Sequence, residues 1–479
     1  MNKKLLLMIM ILTLCLISYS EASKAKWTVM VYIAGDNNLD SALLQDINEM
    51  EAVGSEEGVF NVIVLFDRWT GEWVYGQEGI TKTNAENSGM KIYYITKDEA
   101  GVNRTLVSKD ITKDLGFEAG IFDSGKPKNL EKFIKGVIKN YPAENYHLDI
   151  GTHGAGVKGV IVDDNAGVVG EHSMMKIKEL RDTLGLVFAR VVNQIAENAK
   201  DEIKLNIISF DACLMGMYEI NHDFAGKNIG YIVSSEEVIP GHGFTYNDIL
   251  QYLKDKSMQE AGVAEKGKGY SEKMIDSYYE AYNGKAKACL SSIELETLKS
   301  EGVNEAIAEV FKAINAKTDA EDMSKNIDLM IEYHSALFNA VYFSDDTFID
   351  LIDFLKKIKD NEKLLAIVTA EKIDNAISKI NRTIVKNVAM GDEAWKNGVN
   401  GVAIYMPYYY RVKKDGNIHR RSFREYTYYV NGLDFATSEM GKEINTLFDT
   451  YIKTMEVLPD SSFDIEPDPV ETVETASAE

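Results

Sequence analysis

The chain of 479 residues carries a formal net charge of −23 at pH 7, and 45% of its residues are apolar. That apolar share can fill a sizeable core, and the length admits two to four domains. The acidic balance argues against nucleic acid and anionic membrane as partners, because both demand a basic face.

Residues 1–23 read as a secretory signal. Lys3 and Lys4 form its charged start, residues 5–17 its apolar core, and Ser18-Tyr19-Ser20 a small-x-small cleavage site. The apolar run falls short of the roughly 20 residues that span a bilayer, so no stable membrane span is expected. Cys15 invites a lipoprotein anchor, but Leu14 stands where a small residue is needed before a lipidated cysteine. The expected location is therefore secreted, periplasmic or at the cell surface. Removal of the signal leaves Cys213 and Cys289. Two cysteines in an exported chain can pair. However, Cys289 lies in the strand-like run Ala288-Cys289-Leu290 and reads as a packing residue, which leaves Cys213 a free thiol.

Residues 27–34 read as a strand and 36–50 as a helix with a polar start. Residues 61–67 read as a second strand, and 69–75 with 91–96 as a hairpin. Residues 128–139 form an amphipathic helix with Leu130, Phe133, Ile134 and Val137 on one face. Two short apolar runs then stand out. The first, at 146–152, ends in His153-Gly154-Ala155-Gly156; the second, at 205–210, ends in Asp211-Ala212-Cys213. Such runs read as buried strands of a parallel sheet, and the helical composition of 173–200 makes the unit strand–helix–strand. Parallel strands end on one edge of the sheet, where ligands bind in open α/β folds. His153 and Cys213 would meet there, as a base and a nucleophile do. Each residue alone has a bland reading, as a structural histidine and a small buried hydrophobe. Their pairing, with small residues that expose backbone N–H groups beside His153, suits an oxyanion site and a Cys/His hydrolase.

Between the two runs, Asp163-Asp164-Asn165 with Glu171 and His172 offers metal ligands or, more simply, a solvated loop; calcium-loop spacing is absent. The stretch 174–204 carries Lys176, Lys178, Arg181, Arg190, Lys200 and Lys204, as an exposed helix with basic residues would. From 249 to 397 the character becomes mainly helical, at 260–282, 298–316 and 351–380. The aromatic clusters Tyr278-Tyr279 and Tyr408-Tyr409-Tyr410 line a peptide groove or pack a core. Residues 401–410 return to a strand pattern, and 413–424 form a basic loop with His419, Arg420 and Arg421. After residue 458 come seven acids, three prolines and no base, the composition of a disordered tail. The expected division is signal 1–23, an α/β unit 24–250, a mainly helical region 251–457 whose late strand 401–407 returns to that unit, and an acidic tail 458–479.

These motifs resemble the clostripain family of cysteine peptidases, within the wider group of caspases, legumain and gingipains. The resemblance rests on His153-Gly154 after one strand and Phe210-Asp211-Ala212-Cys213-Leu214-Met215-Gly216 after a later one. Further support comes from Lys26-Trp27-Thr28-Val29-Met30-Val31-Tyr32 with Asp36-Asn37-Asn38-Leu39, from Ser235-Glu236-Glu237 with Pro240-Gly241-His242-Gly243-Phe244, and from Gly401-Val402-Ala403-Ile404-Tyr405-Met406-Pro407. Together they span about residues 26 to 410. The resemblance implies a caspase-like three-layer α/β sandwich with a largely parallel sheet. It also implies a cysteine endopeptidase acting on proteins or peptides, with Cys213 as nucleophile, His153 as base, and Gly154 and Cys213 N–H groups on the oxyanion. Asp211 then lines the pocket for the residue before the scissile bond and selects Arg or Lys; its rival role is a helix cap. His242 fills a slot of the same pocket where basic-specific relatives carry an acid, and Gly151 and Thr152 replace the aromatic and acidic residues expected before the histidine. Relatives are matured by self-cleavage between the histidine and the cysteine, and some use Ca²⁺; no other cofactor is implied. Two rival readings share the dyad or the fold: a catalytically inactive peptide-binding or adhesion module, and a different Cys-dependent amidase or transpeptidase.

Overall fold

The computed structural model describes residues 24–69, 89–103, 105–166, 171–188, 203–258, 266–407, 410–414, 417–421 and 432–457. The expected signal, the acidic tail, residues 70–75 of the expected hairpin and the basic positions 190 and 200 lie outside them. The strands are β1 (Ala25–Gly35), β2 (Phe60–Arg68), β3 (Gly89–Tyr94), β4 (Lys109–Asp110), β5 (Ala143–Gly151), β6 (Val160–Asp163), β7 (Ser173–Met175), β8 (Leu205–Asp211), β9 (Ile229–Ser234), β10 (Ala288–Glu294), β11 (Phe348–Asp350), β12 (Ile384–Met390), β13 (Ala403–Tyr405), β14 (Tyr410–Lys414) and β15 (Asn417–Arg421).

Nine of them form one sheet in the order β12-β10-β9-β8-β5-β1-β2-β3-β4. The middle five run parallel, from β9 through β8, β5 and β1 to β2. The strands outside them pair antiparallel. Successive side chains of a strand point to opposite faces, and here both faces are covered. From β1, Trp27, Val29, Val31 and Ile33 join a core with the helices Asp40–Val53, Tyr246–Met258 and Lys266–Tyr282. Met30, Tyr32 and Ala34 of the same strand join a second core with the helices Pro127–Asn140, Ile177–Leu186 and Tyr218–Phe224. The continuous apolar runs of the central strands follow from this two-sided burial. The chain is thus a helix–sheet–helix sandwich around a largely parallel sheet.

The amphipathic helix expected at 128–139 is Pro127–Asn140, with proline at its start and Leu130, Phe133, Ile134 and Val137 buried. The helix expected across 173–200 is interrupted at its start. Ser173–Met175 is the strand β7, paired with β6, and the helix begins at Ile177, where the Glu179 side chain accepts the Lys176 N–H at 2.9 Å. The region after 250 is helical as expected, but it also lends β10 and β12 to the antiparallel edge of the main sheet. Among the described residues of 401–410, only β13 and the first residue of β14 are strand. β13 pairs with β11 outside the main sheet, while Ala403 N–H donates to Gly216 O at 2.8 Å and so meets the turn after β8. Among the described residues no helix is long and apolar enough to cross a membrane.

Candidate active site

The register of β5 and β8 positions the two reactive side chains. His147 pairs with Ile207, and the ladder runs in step to Gly151 opposite Asp211. Thr152 N–H then donates to Asp211 O at 3.1 Å, which carries the contact one residue past the strand end. His153 and Cys213 each follow their last paired residue by two. The turns that hold them touch: a Cβ added at Gly154 would lie 2.2 Å from Cys213 O and 3.1 Å from Cys213 N. Only glycine permits so close a backbone approach.

Cys213 is a half-buried free thiol whose Sγ accepts the Ile239 N–H at 3.4 Å. Burial pushes its pKa up, aided by the charges of Asp211 and Glu237 and opposed by the Ile239 N–H. The next residue, Leu214, adopts a left-handed φ of 64°, and its N–H donates to Glu237 O at 3.2 Å. Gly216 N–H donates to Ser235 O at 2.7 Å. The Ser235-Glu236-Glu237 motif thus clasps the turn of the cysteine from both sides. Glu236 in turn accepts the Gly401 N–H at 2.9 Å, which ties in the late segment.

His153 is half-buried, and burial lowers its pKa while the charge of Asp164 opposes. Its Nε2 meets Asn38 Oδ1 at 2.5 Å. Asn38 stands on the turn after β1, the strand beside β5. The sequence reading assigned Asn38 no role, because the adjacency of β1 and β5 is a property of the sheet order.

Asp211 is not a helix cap. It ends β8, the next helix starts only at Tyr218, and its Oδ2 accepts the Phe244 N–H and the Tyr246 hydroxyl, each at 3.0 Å. The same hydroxyl reaches Asp149 Oδ2 at 2.7 Å. Asp149 also bonds the Ser209 hydroxyl, which meets His147 Nε2 at 2.7 Å. Burial, with the neighbouring Asp211 charge, pushes Asp149 up to about 7. Burial pushes Asp211 up to about 6, against the two donors. Tyr246 has one hydroxyl proton for two carboxylates, so one carboxyl group must itself carry a proton when both contacts are hydrogen bonds. The turn Pro240–Gly243 lies over Asp211, since a Cβ on Gly243 would fall 2.4 Å from its Oδ2. His242 is exposed on that turn.

A model of the clostripain family of peptidases matches residues 31–445. The chain belongs to the clostripain family. It is accordingly a cysteine-type endopeptidase. Clostripain of Hathewaya histolytica is 25% identical over 416 residues, covering 80% of this chain and 74% of that protein. Among solved structures, a secreted C11 cysteine protease of Bacteroides thetaiotaomicron, in complex with an irreversible peptide inhibitor, is 18% identical. It covers 88% of this chain and 99% of its own at a TM-score of 0.56. An inactive zymogen C11 protease of Parabacteroides distasonis is 17% identical, with 88% and 98% covered and a TM-score of 0.55. At these identities the likeness to the solved structures is one of fold.

Two other expectations for this clostripain-family chain meet the structure differently. Around 163–172, Asp163 is fully buried with Ser124 N–H and hydroxyl on one oxygen and Asn165 N–H on the other, and Asp164 faces His172 Nδ1 at 3.1 Å. Among the described residues no group of three or more His, Cys, Asp or Glu is placed to hold a metal ion. In the basic stretch, Lys176 and Lys178 are exposed, but Arg181 is buried. Its guanidinium meets Asp223 and Asp434, each at 2.8 Å. A side chain so engaged is not on an exposed cleavable face.

Proposed function

We propose that this clostripain-family peptidase is a secreted enzyme that hydrolyses peptide bonds with Cys213 as nucleophile and His153 as base, preferring Arg or Lys before the scissile bond. The single observation that carries the reading is the β5–β8 register, which ends both strands in step with His153 and Cys213 two residues beyond. Burial raises the thiol and lowers the imidazole, so the resting pair is neutral and the proton moves as the sulfur attacks. In that step His153 takes the thiol proton while the sulfur bonds the carbonyl carbon, and the carbonyl electron pair moves to oxygen. Gly154 and Cys213 N–H groups receive that oxyanion. The carbon–nitrogen bond then breaks, His153 returns its proton to the leaving amine, and a thioester remains. Water, deprotonated by His153, attacks the thioester, releasing the acid and restoring the thiol.

Asp211, with His242 on the turn above it, is proposed to form the pocket floor for the basic residue, because an approaching cation favours the ionised carboxylate. The segment 1–23 is proposed to direct export. Self-cleavage between His153 and Cys213 is proposed at a basic residue of the stretch 174–204 other than Arg181, which is buried.

The test is a peptide library varied before the scissile bond, read on the wild type and on Cys213→Ala, His153→Ala and Asp211→Asn. Residues acting as a unit lose most activity when either is removed, so the first two variants should be inactive yet folded. Asp211→Asn should lose most of the basic preference while Cys213 still alkylates. An active Cys213→Ala enzyme, or a wild type that prefers apolar residues, would refute the dyad or the pocket respectively.

A further inference from the structure

We infer that Asn38 is a positioning residue of the catalytic site, holding His153 as the tautomer whose Nδ1 is free to take a proton. The inference rests on the proposal that His153 is the base. Its foundation is the contact between Asn38 Oδ1 and His153 Nε2 at 2.5 Å, made across 115 residues of sequence.

The turn that carries Asn38 is built without it. Asn37, fully buried, donates from Nδ2 to Ala34 O at 2.9 Å and to Val162 O at 3.0 Å, and its Oδ1 accepts the Leu39 N–H at 2.9 Å. On the far side, Asp40 receives Arg68 through two bonds of 3.0 and 2.7 Å and the Trp69 N–H at 3.2 Å. Before it, Asp36 Oδ1 accepts Asn165 Nδ2 at 2.7 Å. Asn38 itself is exposed and takes no part in these bonds. Its amide is therefore presented by a frame that does not depend on it. A side chain with rotamer freedom on an exposed turn would not be fixed on a single ring nitrogen without return.

The chemistry explains why an amide serves there. A neutral imidazole has one N–H, and a neighbour that accepts at Nε2 places the lone pair on Nδ1. Once Nδ1 takes the thiol proton, the ring is cationic and its Nε2–H bond to the amide oxygen strengthens. Stabilisation thus grows along the reaction, which is the condition for it to raise turnover rather than substrate affinity. A carboxylate at this position would favour the cation before substrate arrives. The charge that acts on the ring is that of Asp164, itself against His172, and Asp36 on the turn of Asn38 has its carboxylate on Asn165. None of them occupies Nε2.

The experiment compares the full chain with Asn38→Ala and Asn38→Asp on one peptide reporter across pH, with thermal melting as the folding control. Asn38→Ala should lower kcat about ten- to a hundred-fold, within the range that orientation of a catalytic group supplies, and leave KM within about threefold. Loss of an acceptor that favours the charged ring lowers its pKa, so the acidic limb of kcat/KM should move to lower pH. Asn38→Asp should move that limb to higher pH. An Asn38→Ala enzyme with unchanged kcat and an unmoved limb would overturn the inference. His153→Ala separates the two levels: activity retained there would overturn the dyad and this role with it. Loss there beside a fully active Asn38→Ala enzyme would overturn the role of Asn38 alone.

Discussion

Replacing Gly154 by alanine tests the contact between the two turns directly. The added Cβ would fall 2.2 Å from Cys213 O, 3.1 Å from Cys213 N and 3.1 Å from Met215 Cγ. Carbon reaches its optimal separation from another heavy atom near 3.5 Å, so the two turns must part by about 1 Å. The closest atoms are backbone, and Gly154 is bridged to Val160 as well. No side chain can swing away to make room. A displacement of about 1 Å at a reacting centre costs on the order of a hundredfold in rate, and overpacking a tight site costs about 1–3 kcal/mol in stability. The assay is kcat/KM on a peptide reporter, with iodoacetamide labelling of Cys213 and a thermal melt on the same sample. Gly136→Ala is the control, because its Cβ meets Leu115 at an ordinary 3.6 Å within the helix Pro127–Asn140. That change should leave activity intact and stabilise by about 0.4–1 kcal/mol. Gly154→Ala retaining activity within about threefold, with an unchanged melt, would refute the contact.

Three further outcomes follow from buried polar groups. Arg181→Met should destabilise by about 3–5 kcal/mol in urea unfolding, because it strips the cation from Asp223, whose carboxylate is fully buried; a loss under about 1 kcal/mol would contradict the burial. Burial raises Asp149 to about 7 and Asp211 to about 6, so between pH 4 and 7 the native state holds more protons than the unfolded chain. Their contribution to stability is complete below pH 4 and is lost as pH rises through 6 to 7, by at most about 1.4 kcal/mol per unit for each group. The urea midpoint should fall across that window, and Asp149→Asn should flatten the fall. Tyr246→Phe removes the donor shared by Asp149 and Asp211, and should cost about 1–3 kcal/mol in the same unfolding assay.

The parts of the fold legible in the sequence are those that physics writes locally. β5 and β8 are buried on both faces, so they stand out as continuous apolar runs, and the crossover rule puts both ends on one edge. That sufficed to bring His153 and Cys213 to one edge. β12 escaped notice because it is an edge strand, half-buried along nearly its whole length, with no sharp pattern to mark it. The exposed helix drawn through Arg181 failed for another reason. Its partners, Asp223 and Asp434, lie 42 and 253 residues further along the chain, and no local pattern announces them. Asn38 was visible within a motif, yet its function depends on β1 lying beside β5, an order that chain sequence alone leaves open. Asp211 was read against two roles, and its donors Phe244 and Tyr246 decide against the helix cap.

The site draws its parts from the ends of three adjacent strands, β8, β5 and β1, and from the segment after β9. In each case neighbours of the reactive residue do the holding. Asn37 and Asp40 fix the turn that bears Asn38, and the Thr152 N–H to Asp211 bond joins the turns of His153 and Cys213. The bonds from Leu214 to Glu237 and from Gly216 to Ser235 hold the turn of the cysteine. A left-handed leucine costs about 1–2 kcal/mol, and Leu214 keeps that conformation because bonds on both sides of it leave the chain no cheaper path. The conformation breaks the direction of β8 directly after Cys213, so the chain neither extends the strand nor enters a helix until Tyr218. Cys213 therefore stays at the sheet edge with its backbone against Gly154. Rigidity lies in the flanking residues, and the reacting groups keep the few contacts that chemistry needs to exchange.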